Sequence, residues 1–409
     1  MKLIGLYILL LSSSVNAMTW KEALSIALSR NEDILIRKEN IKKATYTHKK
    51  AIGGHLPTLT GSSSYTQAET ETATTTTTSY GATLGLDLYS GFKTYHTVEQ
   101  AKILKQQSKT SLSQRKLILT NNLRESFARA LYAQKYVKLS RKILKRKKEN
   151  FDFFRLLYPN GLEPRWALTK SKAEWKEAKW EVEKAFTNKE LALRNLYLHM
   201  GLEYPVGRSV TLKGNFELPP LIKYKELEKN NLPNHPDLLY QTQDILVKEK
   251  EISKKKADYQ PTISLSSSYT ISRTNSLDET KTWSSGVSLS WPLFSGLQTV
   301  YGVSEKKADL IVSRLNRLKK KRSLAHNLKK TYQDHKKARE QTTFTRANLQ
   351  SARERALVVQ KEYSAGLKTY LDWESSQNNW TRMEISHLQA LQNTWVTYGL
   401  LQKAMGGFQ

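Results

Sequence analysis

Short stretches of the 409-residue chain return, in the same order, at one nearly constant offset. RNEDIL (30–35) returns as NHPDLL (234–239), and GHLPTLTGSSSYT (54–66) as DYQPTISLSSSYT (258–270), both 204 residues on. Ser90-Gly91 returns as Ser295-Gly296, and Tyr158/Gly161/Leu162 as Tyr363/Gly366/Leu367, at 205 (363 − 158). Met200-Gly201 returns as Met405-Gly406. Five anchors in register, with one residue gained between Pro57 and Ser90, mark a duplication, so the fold is built from two like halves.

Each half reads as helix, strand, strand, helix, turn, helix. A helical segment (about 19–52 and 232–256) ends near Pro57 or Pro261. Strands follow at about 56–70 and 79–91, and again at about 259–273 and 282–294, joined by polar stretches at 68–78 and 273–281 that read as loops. Long helices at about 92–157 and 297–362 lead to the Tyr-x-x-Gly-Leu turns, and helices at about 164–200 and 369–404 close the halves. The first half then covers 18–202 and the second 232–409. The segment 203–231 between them, rich in Pro and Gly, reads as a connector with little regular structure.

The strands carry period-2 alternation. Tyr80, Ala82, Leu84, Leu86 and Leu88 alternate with Gly81, Thr83, Gly85 and Asp87, and Trp283, Val287, Leu289 and Trp291 alternate with Ser and Gly. Alternation over about 10 residues with aromatics near the ends is the pattern of an outer-membrane barrel strand, though a soluble sandwich shares it. Four strands cannot close a barrel, and open edges cannot sit in lipid. Two chains give eight strands and a filled interior, three give twelve and an open one, so a conduit needs three or more copies. A helix over 92–157 has 66 residues (157 − 92 + 1) and spans roughly 100 Å at about 1.5 Å per residue. Steps of four and three from Leu112 give a row of small or aliphatic residues through Leu119, Ala130, Val137 and Leu144, as closely packed helices require. The matching row Leu324, Leu328, Thr331, His335, Ala338, Thr342 is more polar.

Residues 1–17, with Lys2, the apolar run Leu3–Leu11 and a Val-x-Ala site ending at Ala17, read as an export signal. Met18 in place of Cys excludes lipid attachment there. The chain has no Cys, which excludes disulfides and thiolate metal sites. Its net charge of +29 is spread along helices. The densest cluster, RKILKRKK (141–148), contains Ile143 and Leu144 and reads as a solvated helix face, not a nucleic-acid site. The eight His are scattered, and no nucleophile, phosphate-loop or dinucleotide motif occurs. These features fit no enzyme, and they call for no cofactor and no nucleic-acid partner. The Thr run 74–78 reads as low-complexity loop.

On the duplicated order, the paired Tyr-x-x-Gly-Leu turns and Ser-Gly at both strand-to-helix junctions, the chain from Met18 onward resembles TolC-type outer-membrane efflux proteins. The resemblance implies a mostly α chain with a transmembrane β-barrel: a homotrimer forming a 12-stranded barrel in outer-membrane lipid, continued by a long α-helical tunnel in the periplasm. It implies an exit duct for cargo from an inner-membrane transporter of RND, ABC or MFS type, reached through a periplasmic adaptor. Segment 203–231 resembles the family's equatorial belt. A periplasmic coiled-coil scaffold without channel activity is the alternative. The charge of +29 hints at a lumen suited to anionic cargo.

The resemblance also places candidate residues. The turns Tyr158, Gly161, Leu162 and Tyr363, Gly366, Leu367 would form the periplasmic tip and dock the adaptor, with Gly left-handed and Leu covering the helix end. Asp372 would contribute to a ring of carboxylates at the narrowest point. The family's second acid falls on Ser375 here, with Glu374 adjacent. Asp372 also suits position N3 of a helix capped by Thr369. Tyr363 and Lys368 match one side of a gate latch whose acidic partner falls on Ala167, so that Glu163 or Arg165 would have to replace it. Tyr363 equally suits a packed anchor at a helix end.

Overall fold

The computed structural model describes residues 18–205, 210–219, 224–275 and 279–407. The expected export signal at 1–17 lies outside the described residues, as do 206–209 and 220–223 of the connector. In chain order the elements are α1 (Trp20–Arg30), α2 (Glu32–Gly53), β1 (Thr58–Thr70), β2 (Ala73–Ser90), α3 (Lys93–Leu157) and α4 (Arg165–Met200), then α5 (Tyr224–Asn231), α6 (Pro236–Lys256), β3 (Thr262–Thr274), β4 (Thr280–Ser290), α7 (Gln298–Ser364) and α8 (Tyr370–Ala404). Two compact units form. One joins Ile36–Ser113 to Pro236–Arg322 and holds the sheet; the other joins the described residues up to Leu35 to Gln114–His235 and Ser323–Gln409.

The sheet is antiparallel, in the order β1-β2-β3-β4, so the two halves of the duplication meet between β2 and β3. Its register sorts the side chains into two faces. One carries rungs such as Ser64–Ser79–Ser272–Thr280 and Thr60–Thr83–Ser268–Ser284. The other carries Gly61–Ala82–Tyr269–Trp283, with Leu59 opposite Leu84 and Leu265 opposite Val287. Large apolar side chains on this second face lie open: Trp283 is 77% and Leu59 75% exposed. The chain enters each following helix through two successive left-handed residues, Gly91-Phe92 (φ 61° and 62°) and Gly296-Leu297 (60° and 65°). At Gly91 a Cβ would meet the Ala257 carbonyl oxygen at 2.7 Å, which leaves room for glycine alone.

In the helical unit the α3 seam is buried from Leu119 through Leu123, Ser126, Ala130, Ala133 and Val137 to Ser140. The matching α7 row, polar as it is, is buried from Leu324 to Thr342 without a break. Its hydroxyls are satisfied locally: Thr331 donates to the Asn327 carbonyl (2.8 Å), and Thr342 hydrogen-bonds Thr394 of α8 (2.7 Å). Small polar residues thus allow α7 and α8 to approach closely with the threonine hydroxyls paired, while His335 Nε2 is buried without a hydrogen-bond partner.

Several expected boundaries differ. The polar stretch 68–78, with its Thr run 74–78, is not a loop. Thr74–Thr78 lie inside β2, paired with Glu69 back to Tyr65, because β-branched Thr favours extended backbone. The connector 203–231 includes a helix, α5, whose Leu227 is buried with Leu328, Leu401 and Met405. The first helical segment is cut at Asn31, which ends α1 and whose side chain accepts from the Asp33 N–H (3.1 Å) to start α2. β4 stops at Ser290, short of 294, because Pro292 has no N–H to give a ladder.

His335 is fully buried on α7, its Nδ1 against Thr397 (3.4 Å) and its ring near Tyr398. Burial, with the Arg339 charge beside it, lowers its pKa from 6.5 to about 4. Between those values the unfolded chain holds a proton that the folded chain lacks. Its contribution to stability is therefore complete above about pH 6.5 and lost as pH falls toward 4. The melting temperature of the purified protein should drop across that window, and His335→Gln should flatten the drop. His199 and His387, also lowered by burial, will leave part of the slope.

Candidate functional site: the paired helix turns

Both expected turns use the same hydrogen bonds. After α3, Gly161 is left-handed (φ 71°) and its N–H donates to the Tyr158 carbonyl (3.0 Å), while Leu162 donates to Leu157 (3.2 Å). After α7, Gly366 (φ 72°) donates to Tyr363 (3.0 Å) and Leu367 to Glu362 (2.8 Å). This is the Schellman ending, in which a left-handed glycine returns two N–H groups to the last carbonyls. The leucines do not cover the helix ends as expected: Leu162 is 68% and Leu367 74% exposed. With Leu156, Trp166 and Leu371 they present apolar surface around the turns.

The two tyrosines are not equivalent. Tyr158 is exposed, whereas Tyr363 is buried in a cluster with Phe154, Ala167, Val359, Tyr370 and Trp373. Tyr363 stacks on Trp373 (5.6 Å between centroids, 26° between planes), and Phe154 meets Tyr370 and Trp373 edge-on at 5.1 and 5.4 Å. The Tyr363 hydroxyl donates to the Glu163 carboxylate, across the two turns. Burial raises the Tyr363 pKa strongly, and the Glu163 carboxylate raises it further. The residue is therefore both a packed anchor and one side of a link. Lys368 is exposed and helps to lower the pKa of Asp372.

Asp372 sits at N3 of α8 in a capping box. It accepts from the Thr369 hydroxyl (2.8 Å) and N–H (3.3 Å), while its own N–H donates to Thr369 Oγ1 (3.2 Å). Those bonds hold its carboxyl below the usual range, so it is charged, and the side chain is exposed. Glu374, expected beside it in a ring, points elsewhere: it is 8% exposed and paired with Lys170 of α4 (2.6 Å). Two residues along a helix turn the side chain by about 200°, which separates them.

Further links tie α3 to α8 and to α4. Arg146 lies 4.0 Å over the Trp380 ring and pairs with Glu384 (2.6 Å); Lys147 reaches Glu174 (2.9 Å) and Asn378 (2.8 Å). Arg146 and Lys147 belong to the basic run expected as a solvated face, and their side chains are only 21% and 13% exposed. A signal for this existed. Continuing the four-three row one step of three past Leu144 lands on Lys147, and the next steps reach Phe151 and Phe154.

A cleft of about 900 Å³ on the helical unit is lined by Tyr132, Tyr136 and paired charges: Arg129 with Glu125 (2.6 Å) and Lys184 with Glu181 (2.9 Å). No arrangement of nucleophile, base and orienting group lines it. Among the described residues no group of three or more His, Asp or Glu is placed to hold a metal ion.

Known proteins show the same plan. The family described as outer membrane efflux protein matches residues 23–202 and again 228–407, one match for each half. The alkaline protease secretion protein AprF of Pseudomonas aeruginosa is 24% identical over 304 residues. That match covers 72% of this chain but only 63% of AprF. Among solved structures, CusC superposes with a TM-score of 0.82 at 18% identity, covering 95% of this chain and 92% of that one. The Neisseria gonorrhoeae MtrE outer membrane channel gives 0.82 at 16%, covering 95% and 89%, and VceC of Vibrio cholerae 0.79 at 14%, covering 95% and 96%. Family, fold and duplicated register agree, and this chain belongs to the outer membrane efflux protein family.

Proposed function

We propose that this protein is the outer-membrane exit duct of an efflux or type I secretion system. Three copies close a 12-stranded barrel, and their helices line a periplasmic tunnel through which cargo from an inner-membrane transporter passes passively. The observation that carries the reading is the two-faced sheet with two open edges. One face is small and hydroxylic, the other apolar and exposed, as a wall between water and lipid requires. Tyr80 and Tyr89, nine residues apart on β2, stand about 30 Å apart along the strand at roughly 3.3 Å per residue. At a tilt of about 40° that projects to about 23 Å, close to the height of a barrel's apolar band.

The exposed leucines and Trp166 at the paired turns suit a periplasmic adaptor laid against the tip. Asp372, charged, exposed and fixed by its cap, gives each copy one carboxylate at the entrance. The Tyr363–Glu163 hydrogen bond, the ion pairs of Arg146 and Lys170 and the Lys147–Asn378 hydrogen bond hold the two turns together in each copy, and so act as the latch.

Planar-bilayer recording of the detergent-extracted oligomer tests the duct: discrete openings are expected, and well-folded protein that never conducts refutes it. Two variants test the tip. Tyr363→Phe removes one hydrogen bond to a charged group, worth about 1.5–3 kcal/mol, and should raise the open probability about tenfold or more. Asp372→Asn should weaken block by a trivalent cation about tenfold; unchanged block would leave Asp372 as a helix cap alone.

A further inference from the structure

The hydroxylic face of the sheet has a composition that the net charge of +29 does not foretell. Along all four strands the residues of this face are Ser, Thr, Gly or Ala, with one exception. The exception is Asp87. It is exposed, pairs across strands with Ser264, and stands three residues before the Ser90 that ends β2. The charged residues of the strands other than Asp87 (Glu69, Arg273 and Lys281) fall on the opposite face, at the hairpin ends. No lysine or arginine shares the face with Asp87.

We infer that Asp87 is the charge-selecting residue of the barrel section: the only fixed charge on an otherwise neutral bore, favouring cations and retarding anions at the end where the helices join. The inference rests on the duct reading, because only closure with the hydroxylic face inward makes that face a bore. Neutral hydroxyls and glycines hydrogen-bond any passing solute alike, so they discriminate by size and not by sign. A carboxylate on such a surface acts on every ion within about one Debye length. Closure by three copies repeats it three times at one height. No cation of the four strands lies on this face, and the expectation of a lumen suited to anions does not extend to the barrel.

Because the chain has no cysteine, single engineered thiols test this directly. Ser266→Cys lies two residues from Ser264 on the same face, diagonal to Asp87; Thr270→Cys lies further along that face; Leu265→Cys lies on the apolar face. Each is made in the full chain, reconstituted in lipid vesicles at about 10 mM salt, and reacted with a cationic and an anionic methanethiosulfonate. Rates are normalised to those with a free thiol. Ser266→Cys should prefer the cation about fivefold, from one carboxylate acting at roughly 8 Å through water on reagents of either sign. Asp87→Asn in the same background should abolish the preference, and Thr270→Cys, roughly 20 Å from the Asp87 rung at about 3.3 Å per residue, should show less than about twofold in the parent and none with Asp87→Asn. No preference at Ser266→Cys, or one that survives Asp87→Asn, overturns the role of Asp87 while leaving the duct intact. Reaction of Leu265→Cys as fast as Ser266→Cys would instead refute the bore itself, and the inference with it.

Discussion

A sheet of four strands leaves two rows of peptide groups without strand partners, on the outer sides of β1 and β4. In hydrocarbon each unpaired N–H or C=O costs several kcal/mol, and no choice of side chain removes that cost. β1 has 13 residues and β4 has 11, so each edge exposes a run of such groups. Only another strand can satisfy them. The apolar face meanwhile cannot be left in water, with Trp283, Val287 and Leu289 all open. The proposed duct meets both demands at once, with β4 of one copy pairing with β1 of the next until the ring closes. The proposed trimer is the smallest ring that leaves a bore.

The rest of the chain follows from having to solve each problem twice. Both strand-to-helix junctions use a left-handed glycine followed by a left-handed large residue, and both junction serines bond a Thr four residues on, Ser90 to Thr94 and Ser295 to Thr299. Both helix turns use the same two returned hydrogen bonds. The copies diverge where packing differs. The α3 seam is largely aliphatic, while the α7 seam relies on Thr331, Thr342 and buried His335. The second seam keeps small side chains and accepts a titratable group, which couples its stability to pH.

Much of this was legible because it rests on period and register. The duplication, the long helices, the two-faced strands and the glycine turns follow from spacing alone. What was not legible depended on partners distant in sequence. Thr74–Thr78 reads as low complexity until Tyr65–Glu69 is seen across from it. α5 forms in a polar segment because Leu227 finds Leu328 and Leu401. Glu374 reads as a free carboxylate until Lys170, 204 residues earlier (374 − 170), is brought beside it. Lys147 is the instructive case: the row that buries it was in the sequence, but its charge argued against following the row.

The turn region also explains why the acid that bonds Tyr363 sits at Glu163 and not at position 167. Position 167 is fully buried against Phe154, Tyr370 and Trp373. A carboxylate there would enter an apolar site without water, where an unpaired charge is costly. Aromatic packing and an acid at 167 therefore exclude each other, and with Ala167 the packing is kept. Glu163 precedes Pro164, just outside α4, where it stays partly exposed and still accepts from Tyr363. The pair of turns is thus held by packed aromatic rings, with the charged Tyr363–Glu163 hydrogen bond at the rim and the partly buried Lys170–Glu374 and Arg146–Glu384 pairs beyond it. Salt screens exposed charges but not the burial of aromatic surface, so ionic strength alone is a weak lever on the contacts that join the two turns.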